Sequence, residues 1–95
     1  MSYQWIRAVC DQVVSNSPVW ISQLIITPSS SSKRGDCTLY DGESASDPEI
    51  LTVMTASGVT HELTFTPPLK TKRGLYLDYG GDTQEVIIQF STEGE

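Results

Sequence analysis

Hydrophobic and polar residues alternate most regularly toward the end of the chain. Leu75, Leu77 and Tyr79 alternate with Tyr76 and Asp78, and Val86, Ile88 and Phe90 alternate with Glu85, Ile87 and Gln89. A period of two marks a strand with one buried face, because successive side chains on a strand point to opposite sides. Gly80-Gly81-Asp82-Thr83 separates the two runs, and a short Gly-rich link between alternating segments predicts a β-hairpin.

The same pattern, less regular, fills the rest of the chain. Pro18 opens residues 19–27 (VWISQLIIT), where apolar residues fall on both parities, as in a central strand covered on both faces. That strand ends at Pro28, and the Ser-rich residues 29–35 have turn chemistry. Residues 36–41 make a short strand with Cys37 and Leu39 inward, stopped by Gly42. Beyond a polar loop ending at Pro48, residues 49–55 and 60–66 are predicted to pair around Ala56-Ser57-Gly58-Val59, with Leu51, Val53, Leu63 and Phe65 facing in. Pro67-Pro68 should end the second of these, since proline donates nothing to a ladder.

Both ends are less patterned. Trp5, Arg7 and Val9 share one parity and Ile6 and Ala8 the other, so residues 1–17 are expected to form a strand or an arm. Residues 91–95 read as a frayed acidic tail. No helical period occurs, and strands separated by turn signals every ~8–12 residues predict an all-β fold. The expected architecture is an antiparallel β-sandwich over residues 18–90, jelly-roll-like or immunoglobulin-like, with about seven to eight strands.

If every connection reverses the chain, alternate loops share an end. Residues 29–35, 56–59 and 80–83 then lie at one end, and residues 42–48 and 67–73 at the other. Charge makes this useful. Lys33 and Arg34 fall in the first set, while Lys70, Lys72 and Arg73 are brought to the end that also holds Asp41, Glu43, Asp47 and Glu49. Opposite charges at one end can screen each other in solvent, or mate with a neighbouring copy and fix register. Lys70, Lys72 and Arg73, with Asp41, Glu43 and Asp47, are therefore interface candidates, as are Trp5 and Arg7 on the N-terminal segment.

At 95 residues the chain builds one modest core, and partner subunits are a natural source of added stability. Twelve acidic against six basic residues give a net charge of −6, the wrong sign for a phosphate-binding surface, so nucleic acid is not an expected partner. No apolar run reaches the length of a membrane span, and the start lacks the pattern of a secretory signal, so synthesis in a cytoplasm and no membrane partner are expected. Cys10 and Cys37, the two cysteines, are expected as independent free thiols.

Other candidate chemistry is sparse. The carboxylates at Asp41, Glu43, Asp47 and Glu49 lack the order of a calcium loop, so no metal or other cofactor is expected. His61, the sole histidine, has no accompanying nucleophile motif, and no catalytic residue is assigned. Arg34-Gly35-Asp36 spells an adhesive tripeptide but is explained as turn chemistry ahead of a strand. The aromatics, including Trp20, Tyr40, Tyr76 and Tyr79, suit a core and a subunit interface, with a sugar-stacking platform as the alternative.

Several stretches occur together in one order: the apolar strand 19–27, a Ser-rich loop, CTLYDGESAS at 37–46, TASG at 55–58, FTPPLKTKRGLYLDYGG at 65–81 and VIIQF at 86–90. In this the chain resembles small all-β virion proteins of tailed bacteriophages, over about three quarters of its length. The resemblance implies a non-enzymatic structural protein, a capsid decoration or cementing protein first and a neck or tail component second. Its implied partners are the major capsid protein or other virion proteins and further copies of itself, in the virion. Residues 1–17 do not match the pattern. A carbohydrate- or receptor-binding module is the alternative of a different class.

Overall fold

The computed structural model describes residues 3–92. Among the described residues eight strands follow one another: β1 (Gln4–Ala8), β2 (Gln12–Ser15), β3 (Trp20–Pro28), β4 (Asp36–Tyr40), β5 (Glu49–Met54), β6 (His61–Lys70), β7 (Leu75–Tyr79) and β8 (Thr83–Ser91). Every pairing is antiparallel. β1 pairs with β8, β2 with β7, β3 with β6 and β4 with β5, so the first strand meets the last and pairing proceeds inward. The β3·β8 and β4·β7 ladders join these pairs into two four-stranded sheets, β1-β8-β3-β6 and β2-β7-β4-β5. A ribbon of paired strands wrapped into two facing sheets is the jelly roll, one of the two sandwich types expected. The immunoglobulin-like alternative is excluded by this strand order.

The inward faces carry the predicted residues. Leu75 and Leu77 from one sheet and Val86, Ile88 and Phe90 from the other are buried, together with Cys37, Leu39 and Val53. Leu51, Leu63 and Phe65 pack against them half-buried. On β1 it is the Ile6 and Ala8 parity that turns inward, leaving Trp5 65% exposed.

Two predicted hairpins are not hairpins. β7 and β8 lie in opposite sheets, and Gly80-Gly81-Asp82 arches across the core between them. β5 and β6 likewise belong to opposite sheets, with the chain crossing over after Met54. Among the described residues, β4 and β5 are the one consecutive pair that forms a hairpin. Alternation specifies which face of a strand is buried, not its neighbour, and a few extended residues span the ~10 Å between sheets as readily as they turn within one.

β3 is central in its sheet, between β8 and β6, but a second layer covers only one of its faces. Apolar residues occupy both parities because a bulge between Ile21 and Gln23 flips the alternation, so that Ile21, Leu24 and Ile26 all face the core. Trp20 and Ile25 remain half-buried on the outer face.

Pro67-Pro68 does not end β6, which runs on to Lys70. β6 is an edge strand, and its ladder with β3 skips from Thr64 to Leu69, so both prolines fall where no pairing partner is needed. Of the N-terminal segment expected as a strand or an arm, residues 3–17 hold two strands, β1 and β2, one in each sheet, and residues 1 and 2 lie outside the described residues. Ser91 closes β8 and is buried, not frayed; residues 93–95 of the expected tail lie outside the described residues. No helix among the described residues is long and apolar enough to cross a membrane.

Candidate functional site

The loops gather at the two ends as the alternation argument predicted, because an arch reverses the chain just as a hairpin does. At one end Asp41, the residue after β4, reaches the loop between β6 and β7. Its carboxylate accepts the backbone N–H groups of Lys72 (3.0 Å), Arg73 (2.8 Å) and Gly74 (3.4 Å). Glycine is required at 74, since a Cβ there would stand 2.5 Å from the Ser15 carbonyl oxygen. Burial pushes the Asp41 pKa up, but the three N–H donors and the Arg73 charge outweigh it and hold the carboxyl below the usual aspartate value.

Asp47 folds back over its own loop. It accepts the Glu43 N–H at 2.9 Å and the Ser44 N–H at 3.2 Å, and its other oxygen takes the Arg73 guanidinium at 3.2 Å. A side chain at Gly42 would displace that carboxylate. The Glu43 N–H, opposed by burial and helped by Ser44 and Arg73, holds the Asp47 carboxyl below its usual value. The predicted acid–base cluster therefore does meet, within a single chain: Asp41 and Asp47 clasp the 72–74 turn, while the Glu43 and Lys72 side chains remain exposed. Lys70 stands apart from the clasp, its ammonium 5.0 Å from the Trp20 ring centre.

Buried threonines, not singled out in the sequence, tie the crossing loops to the sandwich. Thr83 accepts the Asp36 N–H (2.9 Å) and donates to the Asp36 carbonyl (2.8 Å). Thr55 accepts from Gly35 N–H and donates to the Ala56 carbonyl, and Thr71 accepts from Val19 N–H. No buried side-chain nitrogen or oxygen among the described residues lacks a partner. These threonines sit where a strand becomes a loop, a position that could have drawn notice, although the partner of each is 20 or more residues away except for the adjacent Ala56.

The tripeptide at 34–36 is absorbed by the same bracing. Arg34 donates its Nε to the Thr55 carbonyl, Gly35 is buried, and Asp36 begins β4, so the segment is not a projecting loop tip. Cys10 is an exposed free thiol and Cys37 a buried one. Burial, with the charges of Asp36 and Asp78, pushes the Cys37 pKa up to about 12, leaving an unreactive thiol at neutral pH. His61 is exposed at the start of edge strand β6. No group of three or more His, Cys, Asp or Glu among the described residues is placed to hold a metal ion.

The aromatic residues divide between opposite surfaces. Tyr40 and Tyr76 are cross-strand neighbours on the outer face of the β2-β7-β4-β5 sheet, with ring centres 6.2 Å apart and planes inclined by 51°. Thr38 and Asp78 form the next pair on that face. Burial, then the Asp11 and Asp78 carboxylates, push the Tyr76 pKa up, keeping its hydroxyl protonated. Trp20 is on the other sheet, lining a shallow groove of about 500 Å³ with Ser17, Pro18, Lys70, Thr71, Lys72 and Thr92. Trp5 and Arg7 project from the outer face of β1, at the sheet edge, where Arg7 pairs with Glu85 of β8 at 2.9 Å.

What the fold and these surfaces define is a jelly-roll sandwich with braced loop ends and exposed aromatic and apolar side chains outside its core. Comparisons with protein-family models, curated proteins and solved structures gave no match.

Proposed function

We propose that this chain is a non-enzymatic structural protein of a tailed-bacteriophage virion, a capsid decoration or cementing protein that binds the major capsid protein and further copies of itself. The observation that carries the reading is the placement of its exposed large hydrophobics. Trp5, Val9 and Val13 lie on β1, on β2 and in the turn joining them, and Met54 and Val59 flank the crossing from β5 to β6. Apolar side chains left outside a small closed core suit contact with other subunits. A rigid sandwich present in many copies gains attachment strength by multivalency on a symmetric shell. The net charge of −6 suits an outer surface better than one facing packaged genome.

The test is location. Mass spectrometry of purified particles should find the chain at many copies per particle, and removing it should lower the temperature at which heads disrupt. A few copies confined to the neck or tail would move it to the alternative position in the virion. Absence from particles would refute the proposal.

A second reading, a carbohydrate- or receptor-binding module, is favoured by Tyr40 and Tyr76 sharing an outer face with Thr38 and Asp78 beside them. Ring faces for stacking next to hydroxyl and carboxylate acceptors suit a glycan. Glycan-array binding that disappears in Tyr40→Ala would establish it. Trp20→Ala should leave such binding unchanged, because Trp20 belongs to the other sheet.

A further inference from the structure

The two sheets present four edge strands, β1, β6, β2 and β5, and three of them carry features that discourage further pairing. β6 has Pro67, Pro68 and a break in its ladder. β2 has four residues and a register shift between Val13 and Ser15. β5 opens on exposed Glu49 where its ladder with β4 is irregular. Prolines, bulges, shortness and charges are the means by which natural edges avoid adding strands. β1, at five residues, has neither a proline nor a bulge. Its register with β8 is unbroken from Gln4 to Ala8, and its one charge, Arg7, is already paired with Glu85.

The β1 sequence is also complementary to itself. In an antiparallel self-pairing centred on Ile6, Trp5 faces Arg7 of the second copy, Gln4 faces Ala8, and Tyr3 faces Val9. The outward row of each copy, with Trp5 65% and Val9 52% exposed, then meets aromatic against guanidinium and aromatic against aliphatic. Shifting the centre to Arg7 would set the two guanidinium groups against each other. Shifting it to Trp5 would carry Ala8 beyond the partner's strand.

We propose that β1 pairs antiparallel with β1 of a second copy, centred on Ile6, so that two β1-β8-β3-β6 sheets become one continuous sheet across a twofold axis. This deepens the self-association in the proposed function, and it holds or fails independently of where the protein resides. The recognition is by backbone hydrogen bonds at the edge, with the Trp5 and Arg7 row selecting the register.

Sedimentation velocity on the full chain over a concentration series tests it, using Trp5→Lys and Trp5→Glu, both at an exposed position. In the proposed register residue 5 faces Arg7, so Trp5→Lys creates like-charge pairs and should weaken dimerisation by about tenfold or more. Trp5→Glu also removes the ring but creates ion pairs with Arg7, so it should weaken dimerisation severalfold less than Trp5→Lys does. On the wild type, amide exchange should slow in β1 as dimer forms, and not in β2, β5 or β6. A wild-type monomer throughout the series, equal weakening by both charges, or slowed exchange at another edge in place of β1 would each overturn the proposal. A dimer missing from particles overturns only the virion location, and a monomer found on particles overturns only the edge pairing.

Discussion

Asp41 shows how one side chain can hold a long loop in place. Three consecutive backbone N–H groups converge on its carboxylate, and Asp41→Ala leaves them without that acceptor, at an expected cost of about 1–3 kcal/mol in urea unfolding. The sign with pH follows from both clasp carboxyls lying below the usual value of 3.8 when folded. On acidification the unfolded chain takes up protons first. The stabilisation is therefore complete above about pH 5 and is lost as pH falls through the lowered folded values. Thermal melts from neutral to strongly acidic pH should fall steeply below about pH 4 for the wild type and less steeply for an Asp41→Asn, Asp47→Asn double variant. The cysteines differ as sharply: a thiol reagent at neutral pH should label Cys10 in the folded protein and reach Cys37 only on unfolding. That Cys37 faces inward was legible from its alternation with Thr38. That Asp41 is an acceptor for residues 72–74 was not, because nothing local to either segment names the other.

Among the elements, β3 carries the most specific prediction, because its bulge decides which side chains are buried. Leu24→Ala should cost about 2–5 kcal/mol, whereas Ile25→Ala, on the outer face, should cost less than about 1.5 kcal/mol. Without the bulge Ile21 and Leu24 would point to opposite faces. The arch from β7 to β8 rests on Thr83, whose hydroxyl both accepts from and donates to the Asp36 backbone, so Thr83→Val should destabilise the fold by about 1–3 kcal/mol. Strand positions were legible to within a residue or two in most of the chain. Pro67-Pro68 predicts a shorter β6 because proline loses a ladder donor, a loss that has no consequence in an unpaired stretch of an edge strand.

At the scale of the whole molecule, pairing the first strand with the last makes most of the contacts non-local. Folding should be slow for a chain of this size, in the millisecond-to-second range by stopped-flow fluorescence of Trp5 and Trp20. Removing residues 1–8 should weaken cooperative unfolding severely, because it strips β8 of a neighbour and takes Ala8 from the core. The sequence by itself determined that the chain is all-β, where its strands run and which face of most of them is buried, since side-chain alternation is a local property of an extended backbone. The same local logic placed the loops at their two ends. Only the tertiary structure decided which strands are neighbours. Ladder hydrogen bonds use N–H and C=O groups common to every residue, so partner choice is made by packing both sheets over one core and not by any single segment. The arches, the Asp41 clasp, the shared face of Tyr40 and Tyr76 and the open edge of β1 all follow from that choice.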